Sequence, residues 1–146
     1  MITVTKKRLR FLMAASVMLV TCASTGAADE LLWTGGSSAT WNTSDQNWLR
    51  GEDTVAFSSG SDVRFDDSAA VNNVTVSGTL SAGAVVFSNS VNYLLAGSKL
   101  DRVTSFVKSG TGKLTITNDH TFESDMLVDG GELIADAPAD VKNATS

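Results

Sequence analysis

The chain is predicted to be all-β, folded as a stack of short coils. Three observations predict this. After residue 28, short runs of alternating apolar residues are separated by Gly, Ser, Asn and Asp, which is the period-two signature of strands bounded by turns. No convincing helical period occurs in that region. Finally, Phe57, Val76, Leu95, Leu114 and Leu133 stand at equal intervals along the chain, and Val55, Val74 and Tyr93 precede three of them by two positions. A coil of three short strands and three turns needs about that length, and a fixed period of this size marks a solenoid. In a solenoid each coil stacks on the last, equivalent inward residues form ladders, and no coil is stable alone.

The N-terminus is set apart from this domain. Lys6, Lys7, Arg8 and Arg10 precede an almost wholly apolar run, Phe11 to Val20, and then the small residues of "CASTGAADE". That order is a secretory signal peptide, residues 1–28, with the cut placed near Asp29 after Gly26 and Ala28. The run is too short to span a bilayer as a mature helix. Cys22 is the one cysteine, and Thr21 before it disfavours lipid attachment. A mature chain without cysteine takes its stability from packing rather than disulfides. It would carry 16 Asp plus Glu against 7 Lys plus Arg, a net charge of −9. Such a balance argues against nucleic acid, whose phosphates need basic partners. The acidic residues are scattered, as on a solvated surface.

Residues 29–57 hold all three tryptophans, in "WTGGSSATWNTSDQNW" from Trp33 to Trp48. Two readings fit. The segment covers one end of the solenoid, with Gly35 and Gly36 letting the chain turn between large apolar anchors. Alternatively the indoles form a sugar-stacking platform. Burial is preferred, because each buried ring removes roughly 150–250 Å² from water and large aromatics more often serve burial than binding.

Residues 58–136 form the repeat region. "DVRF" pairs Val63 with Phe65, and "NVTVSG" pairs Val74 with Val76. "NYLLAG" pairs Tyr93 with Leu95, and "GKLTITND" pairs Leu114 with Ile116. "DMLVDGGELIAD" pairs Met126 with Val128 and Leu133 with Ala135. Residues 137–146 are a tail without an obvious capping element. The last coil, near Leu133 to Ala135, is therefore expected to be open, and the isolated chain marginally stable or self-associating end to end.

From Lys108 to Asp136 the chain resembles the autotransporter-associated β-strand repeat, also called the passenger-associated transport repeat. Lys108, Gly110, Gly112, Leu114 and Ile116 match its first half; Phe122, Val128, Gly131 and Leu133 match its second. "ESD" at Glu123 to Asp125 departs from the usual Gly-containing turn. Trp33, Gly35, Trp41, Asn47 and Trp48 resemble the start of such proteins, and "EDTVAF" and "DVRF" the strands that follow. The resemblance implies a right-handed parallel β-helix, export to the cell surface, outer membrane or medium, and a scaffold role in a longer passenger. It also implies a downstream β-barrel or sorting segment, absent from this sequence. Any partners are expected to be cell-surface glycans or host or surface ligands.

Candidate chemistry is sparse. His120 is the one histidine, in "TNDHTF"; Asp119 or Asp125 could join it in a triad, but no nucleophile motif accompanies them. A surface turn explains it better. One histidine and no mature cysteine make no zinc site. "GTGK" at Gly110 to Lys113 fails as a phosphate loop: Val107 stands where its first Gly belongs and Leu114 where Ser or Thr belongs. Asp66 and Asp67 read as turn formers, since a glycosidase pair needs two carboxyls across a cleft and no calcium loop is present. The expectation is a non-enzymatic scaffold without cofactor, metal or catalytic residue. The alternatives are a secreted carbohydrate-binding module using Trp33, Trp41 and Trp48, or a fragment of a polysaccharide-cleaving β-helix enzyme.

Overall fold

The structure, a computed structural model, describes residues 30–117 and 126–136. Their ordered elements are all strands. Ten of these fall into five successive pairs: β1 (Leu31–Trp33) with β2 (Thr40–Trp41), β5 (Val63–Phe65) with β6 (Asn73–Val76), β7 (Leu80–Ser88) with β8 (Tyr93–Gly97), β9 (Leu100–Ser109) with β10 (Lys113–Ile116), and β11 (Met126–Val128) with β12 (Glu132–Ala135). The first member of each pair enters one sheet and the second another. Every pairing between consecutive coils is parallel. The molecule is a parallel β-solenoid, as the alternation predicts. Two further strands, β3 (Trp48–Arg50) and β4 (Asp53–Val55), extend the first sheet beyond β1 by antiparallel pairing.

Alternation decides which way each side chain points. Val63 and Phe65 are buried around exposed Arg64, and Val74 and Val76 are buried between exposed neighbours. Stacking then turns single residues into inward columns. Val63, Val85, Phe106 and Met126 form one in the first sheet. Val74, Leu95, Ile116 and Ala135 form one in the second, beside Tyr93, Leu114 and Leu133. This continuous apolar interior is what makes neighbouring coils interdependent.

The register corrects the evenly spaced ladder. Leu114 does pair with Leu133. However, Val76 faces Gly97, while Leu95 faces Val74 and Ile116, so the repeat of these coils exceeds the predicted interval by two positions. Phe57 is buried but lies outside the strands. An even difference keeps each residue on its own face, so the ladder still selects inward positions while misplacing their neighbours. The spacing also contracts along the first sheet. Each step in the series Val63, Val85, Phe106, Met126 is one position shorter than the step before it.

β7 and β9 are longer than their neighbours, and each carries an irregularity in its alternation. In β7 the inward residues are Leu80 and Ala82, then Val85 and Phe87; the phase slips by one at Gly83 and Ala84. The ladder between β7 and β9 also carries a register shift, nearer the start of β7 at Leu80/Ser81. In β9 the buried residues are Leu100, Val103, Phe106 and Lys108. Such an irregularity bends a strand and re-aims its side chains.

Candidate functional site

Two features concentrate the unusual residues: the aromatic cluster at the N-terminal end and the corner joining the two sheets. Trp33, Trp41 and Trp48 are all 0% exposed. Trp48 meets Trp33 at 5.0 Å and Trp41 at 5.1 Å between ring centroids, both edge to face, and Trp41 meets Phe57 edge to face at 5.2 Å. Phe65 touches all three indoles and stacks on Phe87 at 4.2 Å. Offset and edge-to-face contacts of this kind add to the burial of the rings themselves. The Trp33 indole N–H donates to the Val71 carbonyl at 2.8 Å. Those of Trp41 and Trp48 find no acceptor among the described residues and lie among aromatic rings instead. The platform of exposed tryptophans is thereby corrected: no indole presents a face to solvent on which a sugar could stack.

The corner between the sheets collects the buried polar groups. Asn47, Asn89 and Lys108 are buried in the apolar interior, and each serves this corner in a different coil. The Asn47 carboxamide accepts from the Ser37 and Ser38 amides and donates to Ser38 Oγ and the Thr40 carbonyl, all between 2.8 and 2.9 Å. Tyr93 Oη of β8 donates back to the Asp66 carbonyl of the preceding coil at 2.5 Å. Asn89 Nδ2 donates to the Val91 carbonyl at 2.5 Å. Lys108 Nζ donates to the Ser109 carbonyl at 2.7 Å and reaches the Gly130 carbonyl of the following coil at 3.4 Å. A tight turn inside a solenoid leaves carbonyls pointing inward, and buried acceptors need donors.

Burial sets the direction of two pKa shifts here. It lowers that of Lys108, since desolvation penalises the ammonium. It raises the Tyr93 phenol to about 12, with the carboxylates of Asp66 and Asp67 adding to the effect. Both directions follow from excluding water around a charge.

Asp66 and Asp67 work in the same corner as turn formers. Asp66 Oδ1 accepts from the Ser68 amide at 2.9 Å and from its hydroxyl at 2.6 Å. Asp67 reaches the next coil, accepting from the Ser90 amide at 2.8 Å, the Val91 amide at 3.2 Å and the Ser90 hydroxyl. These bonds, the Ser90 hydroxyl first, hold the Asp67 carboxyl below the usual carboxylate range. Asp66 is engaged with its own turn and Asp67 with the turn of the next coil, so they do not face each other as an acid–base pair across a cleft.

"GTGK" is likewise a turn. Gly110 has φ of +78°, and a Cβ there would collide with the Asn89 carbonyl. Only glycine accepts both constraints. His120, Asp119, Glu123 and Asp125, Phe122 of the repeat resemblance, and the whole of residues 1–28 with Cys22 lie outside the described residues. Among the described residues, no group of three His, Cys, Asp or Glu side chains is placed to hold a metal. Sequence reasoning named Asn47 only within the resemblance and missed its buried corner role, Asn89 and the burial of Lys108. The available signal was Lys108 at an inward position of an apolar alternation, and Asn89 next to the turn.

Comparison with family models, with curated proteins and with solved structures returned no match in any of the three.

Proposed function

We propose that the chain is a structural scaffold segment of an exported, cell-surface β-solenoid of the autotransporter passenger kind, with no chemistry of its own. The carrying observation is the use made of the reactive side chains. The carboxylates of Asp66 and Asp67, the Lys108 amine, the Tyr93 hydroxyl, the Asn47 amide and the Asn89 Nδ2 group are all engaged in fastening turns. In this reading the tryptophan segment is an end cap: Trp48 and Phe57 lie against Trp41 of β2, and burying such rings removes a large apolar area from water. The acidic balance and the tripartite leader support export. The resemblance of Lys108 to Asp136 to the passenger-associated repeat supports the passenger assignment. Fractionation of the native host with N-terminal sequencing tests the proposal. The expected product lies outside the cytoplasm and begins near Asp29; a cytoplasmic product retaining Met1 would overturn it.

A further inference from the structure

The two ends of the solenoid differ in a way that specifies a partner. At the N-terminal end the first sheet overhangs the second by β3 and β4. Its outermost strand is three residues long, and two of them, Asp53 and Thr54, are exposed. A short charged edge is a poor template for another strand. At the other end β11 and β12 are each the last strand of their sheet among the described residues. They belong to the same coil, so both sheets offer a backbone edge at one level.

The inward side chains of this coil are less covered than those of the coil before it. Inward residues of the preceding coil are shut away, with Phe106 2% and Leu114 0% exposed. Their counterparts Met126 and Leu133 are only partly buried, and Val128, stacked on Lys108, is 45% exposed. Leu127 and Ile134 add apolar surface on the outer faces of the same two strands. The interface continued here is the parallel coil-on-coil contact repeated throughout the chain.

A second copy of the chain fits this edge poorly in either orientation. Head to tail, β4 runs parallel to β11 and could pair with it. The two-strand overhang, about 10 Å at the usual strand spacing, would then hold β12 away from β2. Tail to tail, Asp129, Glu132 and Asp136 of both copies would be brought close, residues 126–136 contain no Lys or Arg, and only Lys113, beside Glu132 on the neighbouring strand, offsets them. Like charges brought together across an interface cost affinity.

We infer that the β11–β12 edge is a docking site for one further polypeptide coil of the same type, and that the chain does not dimerise through it. The occupant is an extended segment with a short alternating strand for each sheet and a glycine corner between them. It pairs in parallel by backbone hydrogen bonds, with its inward residues covering Met126, Val128 and Leu133. This deepens the scaffold reading, yet rests on edge geometry and not on export.

The probe is a labelled synthetic peptide with the sequence of residues 100–116, which supplies both strands and the Gly110–Gly112 corner. Sedimentation of the full chain alone should give a monomer. Anisotropy should show saturable one-to-one peptide binding, absent for a scrambled peptide. Val128→Lys in the first sheet and Leu133→Asn in the second should each weaken binding at least tenfold, with an unchanged far-ultraviolet spectrum identifying the variants that remain folded. A chain that dimerises alone would overturn the inference. So would a monomer that ignores the peptide, or one that binds the scrambled peptide equally. Because the purified chain is used, failure here leaves the test of export untouched.

Discussion

Lys108 stands where Phe65 and Phe87 stand in earlier coils of the same column. Its amine replaces aromatic packing with bonds to two turn carbonyls. Tyr93 combines both roles, a buried ring and a hydroxyl on the Asp66 carbonyl. Its pKa, raised to about 12, exceeds the unfolded value of about 10. The neutral phenol is thus favoured by folding. This contribution is fully present below about pH 10 and is lost as the pH rises towards 12. Thermal melts across that range should show an alkaline loss of stability that Tyr93→Phe flattens; equal slopes for both proteins would contradict it. Leu114 is fully buried between Tyr93 and Leu133, whereas neighbouring Lys113 faces outward and is half-buried. Leu114→Ala should cost about 2–5 kcal/mol, and Lys113→Ala within about 0.5 kcal/mol. Denaturant titration of the two variants checks the inward assignment, and equal losses would refute it.

At the scale of elements, the corner governs how coils meet. Gly110→Ala combines a left-handed backbone with a clash against the Asn89 carbonyl. It should cost more than the roughly 1 kcal/mol of an ordinary Gly→Ala change at an incompatible position. Gly51, at φ +61° with no atom within 4 Å of an added Cβ, should show the loss from backbone strain alone. A smaller loss at Gly110 than at Gly51, measured by denaturant titration, would refute the close approach. The short strands were legible in the sequence because each keeps a single alternating phase: Val63 with Phe65, Val74 with Val76, Tyr93 with Leu95, Leu114 with Ile116. The two longest were not. β7 changes phase at Gly83, and β9 spaces Leu100, Val103 and Phe106 by three before placing a lysine inward. A change of phase within a strand erases the alternation that identifies it. The site was legible only in part: Asp66 and Asp67 as turn formers follow from local chemistry, whereas the corner role of Asn89 and Lys108 depends on stacking between coils.

Across the whole molecule, stability should run downhill from the N-terminal end. The aromatic cluster ties β1, β2, β3 and β5 together through Trp33, Trp41, Trp48 and Phe65. The last of the described coils contributes only partly covered residues, Met126 and Leu133 among them. Local opening free energies follow such differences in burial. Native-state hydrogen exchange should find the slowest amides in β1, β5 and β7 and the fastest paired ones in β11 and β12. Uniform protection would mean that the solenoid opens as one unit. Tryptophan emission should accordingly be blue-shifted and shielded from aqueous quenchers, because all three indoles are buried.

The shortening of the repeat has a geometric consequence. Along the first sheet the step from Phe106 to Met126 is two positions shorter than that from Val63 to Val85. Along the second, the step from Ile116 to Ala135 is two shorter than that from Leu95 to Ile116. Each circuit of the chain therefore has less contour to enclose its interior. At about 3.3 Å per extended residue, losing two positions removes about 7 Å of perimeter. Asn89 gives way to Gly110 and then Gly130 at the same corner, so bulk leaves the turn as the circumference contracts. The last coil thereby acts as a gauge. A segment whose circuit matches the final, shortest step can follow its outline, while one cut to the length of the first coils would overhang and leave its own inward side chains wet.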